Sequence, residues 1–210
     1  VRVHSWERLS FECKASIKFL MFKLLYHTPA DWTQGVVNAM DQFLPDHAAA
    51  EKKASSMAMG MVSHYPDRQD LVMAMIDLAI EELSHYRAVV RLMSERGLNL
   101  LPDEKDPYIN QLRSAIRSGK DPYFMDRLLV AGIVEARGAE RFGLVAEALP
   151  PGKLKRFYQS ITRSEEGHQD LFIQLADQYF DPAETRPRLG ELLEIEAAIV
   201  KGLPLRPALH

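Results

Sequence analysis

Apolar residues recur at spacings of three and four through most of the chain, and strict alternation is scarce, so the pattern predicts an all-α protein. Proline and glycine punctuate the pattern. A leading helix is expected over 6–26. Thr28-Pro29-Ala30-Asp31 reads as a cap before a helix over 31–43. Pro45 suits the first turn of a helix over 45–64, which Pro66-Asp67 ends. The next helix is expected over 68–96, stopped by Gly97 in the glycine position that follows helix C-termini. Residues 98–107, rich in Pro and Asp, lead to a short helix over 108–118 and a turn at Gly119-Lys120-Asp121-Pro122. Helices over 122–149 and 152–180 follow, separated by Pro150-Pro151-Gly152. Asp181-Pro182 closes the second of them, and a helix near 188–201 precedes a Pro-rich tail.

This order gives two long helical hairpins joined by a crossover of about 25 residues, the topology of a ferritin-like four-helix bundle with flanking helices. One domain is expected across 1–210: a leading segment over 1–30, a bundle core over 45–180, and a C-terminal helix and tail over 181–210. No low-complexity tract or linker divides it.

Two copies of Glu-x-x-His fall on the second helix of each hairpin, Glu82-Leu83-Ser84-His85 and Glu165-Glu166-Gly167-His168. Residues three apart share a helix face, so each pair can reach one ion. Glu51 precedes Glu82 by 31 residues, and Glu135 precedes Glu165 by 30. With turns near 66 and 151, each glutamate stands about 15 residues from its turn, at the height of its partner across the hairpin. Four Glu and two His so placed form the ligand set of a dimetal four-helix bundle. Carboxylate with imidazole suits Fe or Mn. The six positions also lie on apolar stripes, where ionised carboxylates cost several kcal/mol unless paired. Buried salt bridges without metal are the competing reading.

The neighbours read differently. Glu140 is at the wrong height and face, and Glu81 and Glu166 lie beside the ligand stripe or in solvent. His47, one turn before Glu51, is read first as a capped surface histidine, with a role lining a channel or supporting a ligand as the alternative. His4, His27, His64 and His210 lie near ends or loops and are given no role, and Cys13 is taken as structural or incidental.

Composition narrows the class. The chain has 210 residues, 47% hydrophobic and 26% charged, with net charge −3, so no global basic field argues for nucleic acid. One cysteine excludes an internal disulfide and a Cys-based metal site, and fits a cytoplasmic protein. The apolar run over 17–25 is broken by lysines and too short to span a bilayer, so no membrane partner is expected.

Several segments resemble the bacterial tRNA 2-methylthio-N6-isopentenyladenosine hydroxylase family over roughly residues 20–200. They are Tyr26-His27-Thr28-Pro29-Ala30-Asp31-Trp32, Asp46 to Ala54 with its Glu51-Lys52-Lys53-Ala54, Glu81 to Tyr86, Ile133 to Phe142, and Ser164 to His168. The resemblance implies an O2-dependent hydroxylation of the isopentenyl chain on a hypermodified tRNA adenosine. It implies two Fe ions, an external electron donor and tRNA as partner. Candidate basic clusters for the RNA are Arg113, Arg117 and Lys120; Lys153, Lys155, Arg156 and Arg163; and Lys52 with Lys53. Each could equally be the solvated face of an amphipathic helix. A dimetal protein that handles iron or scavenges peroxide, without nucleic acid, is the alternative function.

Overall fold

A computed structural model describes residues 22–210. The elements are α1 (Ala30–Asn38), α2 (Met40–His64), α3 (Gln69–Glu95), α4 (Pro107–Ser114), α5 (Lys120–Ala148), α6 (Lys153–Tyr179) and α7 (Pro182–Gly202), and the described residues contain no strand. Residues 22–26 are not helical. The rest of the expected leading helix, His4 and Cys13 lie outside the described residues.

Two boundaries differ from expectation, each for a local reason. The break between the first two helices falls at Ala39 (φ −124°, ψ 38°), not before Pro45, which sits in the second turn of α2. There a proline deprives only the Asp41 carbonyl of its helical partner, so α2 starts earlier. Helix α7 begins at Pro182 because Asp181 both closes α6 and caps α7, accepting from the Ala183 amide at 2.8 Å with Pro182 in the first helical position. Asp106 caps α4 in the same way, accepting from Tyr108 N at 2.9 Å and Ile109 N at 3.2 Å. The end of α3 falls as expected. Gly97 adopts φ 71°, Leu98 N donates to Met93 O at 2.9 Å and Gly97 N to Ser94 O at 3.1 Å, a paired closure that satisfies the last carbonyls.

Helix α2 packs along α3 and α5 along α6, the two hairpins of the bundle, and α3 meets α6 across it. A Cβ on Gly132 of α5 would lie 3.4 Å from the Phe172 Cβ of α6, so glycine there sets the close spacing of that hairpin. Helix α1 lies on α5 and α2, α4 on α7 and α5, and α7 on α5 and α6. The apolar core falls into two clusters. One gathers Ala58, Leu71, Met75, Phe124, Leu128 and Phe172; the other gathers Phe43, Leu44, Val89, Phe142, Tyr158 and Ile161. On every long helix the candidate ligands lie between members of the two clusters, so a polar layer crosses the bundle with an apolar seal on each side.

A buried ionic knot fastens the flanking pieces. Arg137 is fully buried and donates to Glu196 of α7 at 2.8 and 3.0 Å, to Glu140 at 2.5 Å and to the Tyr26 carbonyl at 2.7 Å. Glu140 also accepts from the Thr28 amide at 2.8 Å and hydroxyl at 2.7 Å. Tyr108 donates to Glu196 at 3.2 Å, and Arg141 donates to the Leu209 carbonyl. Glu140 is therefore a structural group in this knot and faces away from the polar layer.

Candidate metal centre

The six predicted residues converge. Glu51, Glu82, His85 and Glu165 each offer a ligand atom within 4.8 Å of the others, and so do Glu82, Glu135, Glu165 and His168. The two groups share Glu82 and Glu165. Each has its own histidine and its own further glutamate. Two cations side by side could be held by such a set, with Glu82 and Glu165 common to both groups and one further Glu and one His in each.

Distances support the fit. His85 Nδ1 stands 3.5 Å from Glu51 Oε2 and 3.7 Å from both Glu82 Oε2 and Glu165 Oε1. His168 Nδ1 stands 3.0 Å from Glu82 Oε1, 3.4 Å from Glu165 Oε2 and 4.0 Å from Glu135 Oε2. Ligands at about 2.1 Å from an ion lie roughly 3 Å apart on its coordination sphere. Glu82 Oε1, His85 Nδ1 and His168 Nδ1 are buried without a hydrogen-bond partner, including the close His168–Glu82 pair, whose alignment makes no hydrogen bond. Buried polar atoms are normally satisfied, and a cation placed among these would satisfy all of them.

Protonation carries the same signature. Burial, then the neighbouring carboxylates, pushes Glu135 well above the usual carboxylate range, and burial does the same to Glu51. Burial would lower His85, but Glu51 and Glu82 outweigh it and hold the imidazole up at about 10. His168 is raised in the same way by Glu165, Glu81 and Glu82. Glu82 is lowered, the two histidines overcoming its burial. The cluster thus favours positive charge among its carboxylates, as protons here or as a cation would supply it.

Glu81 faces the outer edges of both rings. Its carboxylate lies 3.4 Å from His168 Nε2 and 3.9 Å from His85 Nε2, and it accepts from the Ser164 hydroxyl. A carboxylate on the far nitrogen of a ligating histidine fixes its tautomer and ring plane. Glu166 is exposed.

His47 corrects the expectation of a surface residue. It is completely buried, with Nε2 at 2.6 Å from Glu51 Oε1 and Nδ1 at 3.2 Å from the Tyr158 hydroxyl. Burial, aided by the charge of His85, lowers its pKa to about 3, so the ring is neutral. With Glu51 ionised, Nε2–H donates to the carboxylate and Nδ1 accepts from Tyr158. Phe142 packs on the ring at 4.5 Å. The signal was available: His47 is four residues before Glu51 and shares its apolar stripe with Phe43, Leu44 and Ala48.

Most of the candidate basic clusters are engaged within the protein. Arg117 pairs with buried Asp126, Lys153 with Glu95, and Lys52 with Asp103. Lys53 donates to Glu104 O, and Lys155 to the carbonyls of Glu147 and Leu149.

The model of one protein family, tRNA-(MS[2]IO[6]A)-hydroxylase (MiaE), matches residues 14–210. The chain is 35% identical over 157 residues to a Pseudomonas putida protein named tRNA 2-(methylsulfanyl)-N(6)-isopentenyladenosine(37) hydroxylase, covering 75% of this chain and 76% of that one. A Salmonella typhimurium protein of the same name is 30% identical over 156 residues, 74% of this chain and 57% of that one. Among solved structures, a Synechococcus protein described as having aldehyde deformylating oxygenase activity superposes with a TM-score of 0.85 at 33% identity, covering 89% of this chain and 94% of that one. A family match across nearly the whole chain, on a bundle with this carboxylate–histidine layer, means that the chain belongs to the tRNA-(MS[2]IO[6]A)-hydroxylase (MiaE) family.

Proposed function

We propose that the chain is a di-iron monooxygenase that uses O2 to hydroxylate the isopentenyl group of a hypermodified adenosine in tRNA. The observation that carries the reading is the pair of four-residue groups sharing Glu82 and Glu165, in a chain of this family. Glu51, Glu82, His85, Glu135, Glu165 and His168 would hold the two ions, within one domain. Bound there, the iron pair supplies the oxidising power that an unactivated C–H bond requires.

The chain's own residues do the rest. Glu82 and Glu165 bring the two sites together. His47, backed by Tyr158, fixes the orientation of Glu51, and the Glu81 carboxylate stands beside both imidazoles. The apolar clusters on either side of the layer exclude water, which protects a strong oxidant from side reactions. Inserting one atom of O2 into C–H and reducing the other to water consumes two electrons and two protons, so an external electron donor is a partner. Among the described residues no helix is long and apolar enough to cross a membrane. With tRNA as substrate, the reading places the protein in the cytoplasm.

The test is nucleoside analysis of tRNA from strains with and without the gene, paired with reaction of the purified iron-loaded protein. The hydroxylated isopentenyladenosine disappears in the deletion strain and is formed in vitro with O2 and a reductant. If it persists in the deletion strain and the protein cannot make it, the alternative of a dimetal protein acting without nucleic acid takes its place.

A further inference from the structure

Resting on the tRNA reading above, we infer that the outer face of the α3–α6 seam is the RNA-docking surface, with Arg87, Arg91, Arg156 and Arg163 holding the phosphate backbone beside the entrance to the metal layer. The seam is fixed by cross-helix contacts: Glu81 with Ser164, and Glu95 with Lys153 at 2.6 Å. On α3, Ser55 donating to Ala79 O marks the side that faces α2, and Glu82 marks the core. At about 100° per residue, Arg87 and Arg91 lie on the remaining outward side of α3, Arg91 nearer α6 and Arg87 nearer α2. On α6 the approach of Thr162 to Gly143 marks the side that faces α5, and Glu165 marks the core. Arg156 and Arg163 then fall on the outward quadrant next to α3. The two pairs thus form one face, spread along the helix axes over about 10 Å at 1.5 Å per residue.

All four arginines are exposed, and among the described residues none makes an ion pair or side-chain hydrogen bond. Lys52, Lys153 and Arg117, by contrast, pair with carboxylates, and Lys53 and Lys155 donate to backbone carbonyls. The other end of the same seam carries Asp70, Asp77 and Asp170, so the face is electrically polar and a polyanion would settle on the arginine half only. Between the halves lies the most exposed edge of the layer. His85, at 14% side-chain exposure, is the most exposed of the six candidate ligands, and Glu81 beside it reaches 35%. A Cβ on Gly167 would meet nothing within 4 Å, and Ile80 is 60% exposed. A nucleotide whose phosphates rest on the arginines can therefore turn its base and apolar chain toward this partly exposed, partly apolar edge of the layer. Arginine suits this role through bidentate contact with phosphate and stacking on bases.

The experiment measures binding of unfractionated bacterial tRNA to the iron-loaded protein by fluorescence anisotropy across a salt series. The wild type is compared with Arg87→Gln/Arg91→Gln/Arg156→Gln/Arg163→Gln and with a control, Arg113→Gln/Lys120→Gln, which removes exposed charge on α4 and α5. Circular dichroism and iron content verify that each variant is folded and loaded. The seam variant should bind at least about tenfold more weakly, with the salt slope reduced by two to four, and the control should match wild type. Equal binding and slope in wild type and seam variant would overturn the surface while leaving the tRNA reading intact. A seam variant that keeps tRNA affinity, but is reduced normally only by small-molecule reductants and not by a protein donor, would reassign the face to the electron donor and overturn the proposal. A wild type that binds no tRNA would overturn both.

Discussion

Replacing Glu135 by leucine should make the metal-free protein more stable while abolishing its response to metal. Glu135 is 6% exposed, and its closest ion-pair partner among the described residues, His168 Nδ1, lies 4.0 Å away. Burial and the charge of Glu165 both oppose its ionisation. Without an ion this side chain is an electrostatic cost, and leucine fills a similar volume beside Ala131, Ala136 and Ala139, which are buried. Replacing a buried charged group by a packed apolar one typically stabilises by about 1–4 kcal/mol. For a domain of this size each kcal/mol moves Tm by about 2–4 °C, so the metal-free variant should melt about 2–16 °C above metal-free wild type. Metal reverses the order. An ion present at a hundredfold over its Kd adds about 2.7 kcal/mol to the wild type, and the variant has lost a ligand needed for that gain. Anaerobic calorimetric melts with chelator and with ferrous iron test both halves. The reasoning is refuted if metal-free Glu135→Leu is less stable than wild type, or if both proteins gain equally from iron.

Three further outcomes follow from the geometry. Glu196→Ala leaves Arg137 buried without its main partner and should lower stability by about 3–5 kcal/mol in denaturant melts, whether or not metal is present. His47→Ala removes the partner of Glu51 and of Tyr158. It should weaken iron binding about 10–100-fold by competition with a chelator, and leave the number of ions bound at saturation unchanged. The third concerns pH. In the metal-free fold Glu51 and Glu135 are raised above 4.5, and His85 is raised from 6.5 to about 10, so the folded state holds more protons than the unfolded chain. Above about 7, where buried His47 is neutral in both states, stability of the metal-free protein should therefore fall as pH rises toward 10, the contribution of His85 being complete below 6.5 and lost through about 10. Metal must displace the same protons, so iron uptake should release acid and tighten with pH over that window, measured in weakly buffered titrations.

The long helices and the convergence of the six residues were legible because both rest on local information. Proline and glycine mark the turns, helical spacing pairs each Glu with its His, and equal distances from a turn bring Glu51 and Glu135 to their partners' height. Pro45 misled because proline is tolerated early in a helix, and Asp181 because one residue ended α6 and capped α7 at once. Arg137 was hidden for a different reason. It lies about 200° around α5 from Glu135, on a face that a bare four-helix bundle gives to solvent. That face is buried only because α7 and the segment before α1 cover it, with Glu196 standing 59 residues away in sequence. The same holds for Tyr158, which periodicity places on the core stripe of α6 but whose hydroxyl finds His47 on another helix. For the basic residues, the sequence could not tell matched charges from unmatched ones: Arg117 and Lys153 have partners on other elements, whereas Arg156 and Arg163 have none among the described residues.

Anomalous diffraction at the iron edge, on crystals grown anaerobically with ferrous iron, tests the central claim most directly. The account predicts two peaks about 3.5–4 Å apart. Glu82 and Glu165 would touch both, Glu51 and His85 one, and Glu135 and His168 the other. A single peak, no peak, or peaks lying away from these six side chains would contradict it.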